Sequence, residues 1–139
     1  MLTQTNVMKG LKILAVDDYP EMTSLVDDIL SDTGASVVAA NTGPDAIRLL
    51  MSTRFDLLIL DVGMPQPDGL KILEFLKTTN PGLLRRTLVL TGMQYHNKTM
   101  GTLVRLGIPF LLKPFRIEEL VDEAWRLTHP RALYERTCK

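Results

Sequence analysis

The 139-residue sequence is poor in several features that would point to particular classes of protein. It has one cysteine, Cys138, so it cannot form an internal disulfide, which favours a reducing, cytoplasmic environment. Its 16 basic and 16 acidic residues cancel, so no charge excess favours direct contact with nucleic acid or an anionic membrane. No apolar stretch has the length of a membrane span, and the first residues lack the regions of a signal peptide. We therefore expect no membrane insertion.

Short, strongly apolar runs are present instead. Five of them contain continuous rather than alternating apolar residues, at 11–16, 36–41, 56–60, 87–90 and 109–112. Such runs are typical of strands that are covered on both faces of a parallel sheet. Segments with helical spacing of apolar residues follow them, at 20–32, 44–53, 69–79, 95–106 and 116–128. This alternation predicts the α/β fold class: a (βα)5 doubly wound, five-stranded parallel sheet with the flavodoxin-like strand order 2-1-3-4-5.

The length predicts one domain. We expect an N-terminal extension at 1–9, the domain at 10–128 and a C-terminal tail at 129–139. The turn-forming segment Asn80–Gly82 marks one of the joins between predicted elements. The helix at 95–106 contains Gly101 and other poor helix formers, and two interpretations of it stay open: a frayed helix, or a marginal element that a signal reshapes.

Reactive side chains end four of the predicted strands. Asp17 and Asp18 follow the first strand, Asp61 the third, Thr91 the fourth and Lys113 the fifth. Ligands of open parallel sheets bind at the carboxyl ends of the strands, where the strand order reverses, so we expect these groups to share one crevice. Any one of them alone is more often a turn former, a helix cap or a solvated group. Their combination at matching strand ends favours a functional site.

The chemistry of these groups suits phosphoryl transfer with a divalent cation. Carboxylates held close together repel one another unless a cation is present, and an all-oxygen cluster is the environment that Mg²⁺ prefers. An aspartate in such a site can act as a nucleophile towards phosphorus. Lys113 and Thr91 are the ammonium and hydroxyl available to contact phosphoryl oxygens.

Four segments carry a resemblance to a known family, and they occur in the family's order. They are ILAVDD (13–18), LLILDVGMPQPDG (57–69), VLTG (89–92) and LLKPF (111–115). Together they resemble the receiver domains of response regulators in two-component signal transduction, of the stand-alone chemotaxis or phosphorelay type. The resemblance covers about residues 10–128.

The resemblance implies roles for individual residues. Asp61 resembles the phospho-acceptor and a metal ligand, and Asp18 the direct ligand of Mg²⁺. Asp17 would hold metal-bound water or assist, and Gly63 would offer its backbone carbonyl to the metal.

The resemblance also implies a set of switch residues. Thr91 resembles the switch hydroxyl and Lys113 the phosphate-binding lysine, with a cis peptide bond to Pro114. Phe110 occupies the switch-aromatic position and lacks the hydroxyl of the tyrosine often found there.

The function that follows is phosphoryl transfer from a histidine kinase or histidine phosphotransfer protein onto Asp61, in a Mg²⁺-dependent reaction. The output would be binding of a downstream protein effector or onward transfer in a phosphorelay, with no enzymatic activity beyond the protein's own phosphorylation and dephosphorylation. Two alternatives stay open. The first is an aspartate-dependent phosphatase or phosphotransferase acting on small molecules, against which Gly63 stands where a second acid would be needed. The second is a degenerate receiver that serves only as a binding module.

Overall fold

A computed structural model describes residues 6–64, 69–92 and 98–130. Strands and helices alternate in this part of the chain, and one additional short helix precedes the fourth strand. The elements in chain order are β1 (Lys12–Val16), α1 (Pro20–Ser31), β2 (Ser36–Ala40), α2 (Gly43–Ser52), β3 (Leu57–Asp61), α3 (Gly69–Thr79), α4 (Pro81–Leu84), β4 (Thr87–Thr91), α5 (Lys98–Leu106), β5 (Phe110–Leu112) and α6 (Ile117–Thr128).

All four strand pairings are parallel, and the order across the sheet is β2-β1-β3-β4-β5. The predicted fold class and strand order are therefore confirmed. The register pairs Val16 with Leu60, Asp61 with Leu90, and Thr91 with Leu112. Because these pairs lie at the carboxyl ends of their strands, the residues that follow them emerge at one edge of the sheet.

Two apolar clusters fill the two faces of the sheet, because successive strand residues point to opposite sides. The first packs the sheet against α2, α3 and α5 and includes Leu58, Leu60 and Leu73. The second packs it against α1 and α6 and includes Ile59 and Leu120. Coverage of both faces explains why the strands read as continuous apolar runs. None of the helices in the described ranges is long and apolar enough to cross a membrane.

The predicted elements match the observed ones to within a few residues, apart from two features. The join at Asn80–Gly82 forms the start of helix α4, because the Asn80 side chain accepts a hydrogen bond from the Leu83 N–H and Pro81 takes the first helical position. Helix α5 begins at Lys98 in the described part of the chain, and the first residues of the predicted 95–106 helix lie outside the described residues.

The segment before β1 packs on the domain. Met8 is 1% exposed and belongs to the cluster beneath α1 and α6, and its N–H donates to the Thr33 carbonyl at 2.9 Å. Gly34 makes room for this segment: its φ is +97°, and a Cβ there would lie 2.9 Å from the Asn6 Cα. The predicted boundaries at residues 10 and 129 stay predictions, and residues 1–5 and 131–139 of the predicted extension and tail lie outside the described residues.

Truncating Met8 should test whether this segment stabilises the domain. We expect Met8→Ala to lower the free energy of unfolding by about 2–5 kcal/mol, because it removes a buried side chain and leaves a cavity. Met51→Ala is the matched control: Met51 is 73% exposed, and its truncation should change stability by less than about 0.5 kcal/mol. Urea unfolding of both variants measures the difference, and equal midpoints would contradict a stabilising role for Met8.

Candidate functional site

Three carboxylates meet where β1 and β3 end side by side. Asp17 and Asp18 directly follow β1, and Asp61 is the last residue of β3. One oxygen of each lies within 4.8 Å of the others. Asp17 and Asp61 are buried, whereas Asp18 is exposed. The sheet therefore brings together the three acids predicted from the sequence.

Lys113 supplies a positive charge to this cluster. It follows β5, and its Nζ lies 2.9 Å from Asp17 Oδ2 and 4.0 Å from Asp61 Oδ2. Its backbone N–H donates to the Thr91 carbonyl at 2.8 Å, which holds its main chain against the end of β4. The Lys113–Pro114 peptide bond is cis, as the resemblance implies.

The two adjacent aspartates differ in what surrounds their carboxylates. Asp17 Oδ1 accepts a hydrogen bond from the Tyr19 N–H at 3.0 Å, and Oδ2 pairs with Lys113. Both Asp17 oxygens are thus engaged by protein groups. The carboxylate of Asp18 has no hydrogen-bond partner among the residues that the structure describes. Asp18 is consequently the more available of the two for an external ligand.

Asp61 is held in an unfavourable electrostatic environment. Burial raises the pKa of its carboxyl group, and the charges of Asp17 and Asp18 raise it further. The Gly63 N–H, which donates to Asp61 Oδ1 at 3.0 Å, and the Lys113 ammonium lower the pKa without cancelling the effect of burial. The ionised form of Asp61 is therefore destabilised by its surroundings.

The two predicted switch residues, Thr91 and Phe110, lie on β4 and β5, the two strands that follow β3 across the sheet. Thr91 is fully buried at the end of β4, and its Oγ1 donates to the Gly92 carbonyl at 3.3 Å. Within the described ranges, its hydroxyl makes no hydrogen bond to Asp61. Phe110 begins β5 and packs, half-buried, against the cluster beneath α2, α3 and α5. Thr91 thus ends the strand next to β3, whereas Phe110 packs in the apolar cluster.

Gly69 is a residue of the site that its sequence position alone does not identify as such. It begins α3, and a Cβ there would lie 2.4 Å from the Val62 Cα and 2.6 Å from the Asp61 carbonyl oxygen. Both contacts are with backbone, so only glycine fits without moving the chain beside Asp61. The sequence signal that points to it is its place at the end of the 57–69 segment, which carries the family resemblance.

The donor set fits a hard divalent cation. All three grouped side chains offer carboxylate oxygens, two of the three residues are buried, and one lysine faces them. This arrangement leaves a net negative charge in a partly desolvated cluster, which an oxygen-preferring cation such as Mg²⁺ would offset.

Comparison with known proteins gives a consistent set of similarities. The family model for the response regulator receiver domain matches residues 13–124. The chain is 37% identical over 127 residues to the response regulator MprA of Mycobacterium leprae, covering 91% of this chain and 52% of that protein. It is 36% identical over 109 residues to the probable transcriptional regulatory protein TcrX of Mycobacterium tuberculosis, covering 78% of this chain and 46% of that protein.

A solved structure shows the same fold. The CheY-like response regulator receiver domain protein of Methanospirillum hungatei superimposes with a TM-score of 0.80 at 21% identity, covering 89% of this chain and 98% of that one. The chain spans about half the length of the two mycobacterial relatives.

The raised pKa of Asp61 predicts a pH-dependent gain of stability in Asp61→Asn. The pKa of Asp61 is higher in the folded protein than in the unfolded chain, so between these two values the folded state binds more protons than the unfolded state. The stability of the wild type therefore falls as pH rises through that range. An asparagine side chain cannot ionise. At pH 7 in the presence of chelator, we therefore expect the Asp61→Asn substitution to raise the free energy of unfolding by on the order of 1 kcal/mol. The gain should disappear as pH falls below the ordinary aspartate range.

Urea unfolding across pH measures this effect. Asp28→Asn, which changes an exposed residue of α1, is the control and should alter stability by less than about 0.5 kcal/mol. A less stable Asp61→Asn protein at pH 7 in chelator would contradict the destabilisation of the ionised carboxylate by burial and by the neighbouring charges.

The close approach at Gly69 predicts opposite effects for two glycine-to-alanine changes. Gly69→Ala should destabilise the protein by about 1–3 kcal/mol, because the new methyl group must displace backbone. Gly101→Ala should stabilise it by about 0.5–1 kcal/mol, since Gly101 lies within helix α5 with nothing within 4 Å of its Cβ position. Thermal unfolding of the pair measures both, and equal shifts of the same sign would exclude the close contact.

Proposed function

The chain belongs to the response regulator receiver domain family, and on that basis we propose that Asp61 accepts a phosphoryl group from a histidine kinase or a histidine phosphotransfer protein. The observation that carries the proposal is the meeting of Asp17, Asp18 and Asp61 at one sheet edge, with Lys113 2.9 Å from one of these acids and 4.0 Å from another. Receiver domains are not conventional enzymes, and the proposed chemistry is confined to the protein's own aspartate.

We propose different roles for the two oxygens of Asp61, because one of them already accepts a backbone hydrogen bond. Oδ1 accepts the Gly63 N–H, which fixes the orientation of the carboxylate. Oδ2 faces Lys113 at 4.0 Å and is the oxygen to which we assign the attack on phosphorus. The new O–P bond forms as the N–P bond of the donor phosphohistidine breaks, and the electron pair of that bond returns to the imidazole.

Other residues of the site stabilise the transferred group. The Lys113 ammonium is placed to contact a phosphoryl oxygen on Asp61 Oδ2, which would offset charge in the transition state and in the acyl phosphate. The Thr91 hydroxyl, whose one hydrogen bond within the described ranges goes to the adjacent Gly92 carbonyl at 3.3 Å, would turn towards such an oxygen.

The acidic triad is typical of the Mg²⁺ site of receiver domains. We propose that Asp18 and Asp61 hold the ion directly, with the Gly63 carbonyl, and that Asp17 acts through bound water because Lys113 and the Tyr19 N–H engage its oxygens. When bound, Mg²⁺ would neutralise the carboxylates and the equatorial phosphoryl oxygens.

We further propose that the output is a change of surface shape, transmitted by Thr91 and Phe110, that alters binding of a downstream protein or permits onward phosphoryl transfer. Reception of a signal from a histidine kinase fits a cytoplasmic protein. The stand-alone organisation stays a prediction, because the chain spans 46% and 52% of the lengths of the two mycobacterial relatives.

Phosphorylation of Asp61 is directly testable. Acetyl phosphate with Mg²⁺ should give wild type and Asp28→Asn an acid-stable, base-labile acyl phosphate, and should leave Asp61→Asn unmodified. Intact-protein mass spectrometry with mapping of the modified peptide measures this. Label on Asp61→Asn would refute the assignment, absence of label on wild type would favour the degenerate receiver, and sustained hydrolysis of small phosphomonoesters would favour the phosphatase.

The two adjacent aspartates should differ in their effect on metal affinity. We expect Asp18→Asn to raise the Mg²⁺ dissociation constant by at least tenfold, and Asp17→Asn to raise it less, since Asp17 is already engaged by Lys113. Isothermal titration calorimetry with Mg²⁺ measures both. A larger loss in Asp17→Asn would show that Asp17 is the direct ligand.

A further inference from the structure

The turn that carries Asp17 and Asp18 is tied to the end of the neighbouring strand β2. The Asp17 N–H donates to the Ala40 carbonyl at 3.2 Å, which extends the β1–β2 pairing by one bond. The next residue, Asn41, donates its side-chain amide Nδ2 to the Asp17 carbonyl at 2.8 Å. Both backbone polar groups of Asp17 are therefore held by residues at the end of β2.

The same amide nitrogen reaches a second partner. Asn41 Nδ2 donates to Thr23 Oγ1 at 3.0 Å, and that buried hydroxyl donates in turn to the Pro20 carbonyl at 3.1 Å. The two N–H groups of the Asn41 amide thus connect the turn after β1 to the first turn of α1. The amide can make this link because its NH₂ group carries two donors on one atom.

The carbonyl that Asn41 holds belongs to the peptide that joins Asp17 to Asp18. Fixing that carbonyl fixes the plane of the peptide, because the peptide unit is rigid. The plane includes the Asp18 Cα, so this hydrogen bond fixes the point from which the Asp18 side chain leaves the backbone. The Asp18 carboxylate has no hydrogen-bond partner of its own among the described residues, so its position depends on the backbone.

We propose that Asn41 is a positioning residue for the metal site, acting through the Asp17–Asp18 peptide to aim the Asp18 carboxylate at the cation. Asn41 touches neither the metal position nor the reacting atoms. The inference rests on the proposed Mg²⁺-dependent function and adds Asn41, the residue that directly follows β2, a strand that contributes no proposed ligand. Loss of such an outer hydrogen bond typically weakens metal binding about 10–100-fold.

The first experiment compares Mg²⁺ affinity with stability. Asn41→Leu keeps the approximate size of the side chain and removes both donors, and we expect it to raise the Mg²⁺ dissociation constant about tenfold. Thr87→Val is the matched control, because it removes a buried hydroxyl-to-carbonyl hydrogen bond (2.8 Å, to Leu83) at the opposite edge of the sheet. It should lower stability while leaving the dissociation constant unchanged. Should Asn41→Leu not fold, Asn41→Ala takes its place.

The second experiment tests the route through Asp18. In a double-mutant cycle, Asn41→Leu should weaken Mg²⁺ binding in the wild-type background and have no further effect in the Asp18→Asn background. A further tenfold loss in that background would overturn the route through Asp18. Thr23→Val, which removes only the second partner of the amide, should weaken binding by less than Asn41→Leu.

The outcomes separate this proposal from the function on which it rests. If wild type binds Mg²⁺ and Asn41→Leu binds it equally well while losing stability like Thr87→Val, Asn41 is merely structural and the proposal fails. If wild type itself binds no Mg²⁺ in the calorimeter, the metal-dependent function fails, and the positioning role fails with it.

Discussion

Repulsion among three carboxylates at the junction of β1 and β3 is the constraint on which the rest of the site depends. One oxygen from each of Asp17, Asp18 and Asp61 lies within 4.8 Å of the others, and Lys113 is the cation paired with two of them in the described part of the chain. One positive charge cannot balance three negative ones in a partly buried cluster. Burial raises the pKa of the Asp61 carboxyl group, and the charges of Asp17 and Asp18 add to this effect. The site is therefore receptive to a cation and to a group that removes negative charge from the aspartate.

Backbone contacts hold the charged groups of the site in place despite their mutual repulsion. The Gly63 N–H orients the Asp61 carboxylate, and the missing side chain of Gly69 lets α3 pack directly against the Asp61 carbonyl. The Lys113 N–H is bonded to the Thr91 carbonyl, so the ammonium is delivered from a strand that is itself fixed to β4. Backbone contacts of this kind hold the carboxylates close together despite their electrostatic repulsion. Carboxylates that no backbone group fixed could reduce that repulsion by rotating away from one another.

This arrangement gives each acid a different availability. Among the described residues, hydrogen bonds engage both oxygens of Asp17, one oxygen of Asp61 through a backbone N–H, and neither oxygen of Asp18. The most open carboxylate is therefore the one whose direction depends on its backbone, which is why the Asn41 contact with the Asp17 carbonyl matters. A cation can therefore bind first at the Asp18 carboxylate, without breaking the ion pair between Asp17 and Lys113.

Much of this protein was already determined by its sequence. Continuous apolar runs predicted a sheet covered on both faces, and acids, a hydroxyl and a lysine at the ends of those runs predicted which side chains would meet. Those inferences succeed because periodicity and strand-end position are local properties of the chain. Helix α4, capped by Asn80, was missed because a turn signal and a helix cap use the same residues.

Only the tertiary structure decided how the site works in detail. No sequence pattern shows that Lys113 pairs more closely with Asp17 than with Asp61, that Met8 fills the core beneath α1, or that Asn41 holds the peptide before Asp18. Each of these contacts joins residues from separate segments of the chain. Their distances are set by how the strands align and the helices pack, which local sequence does not encode.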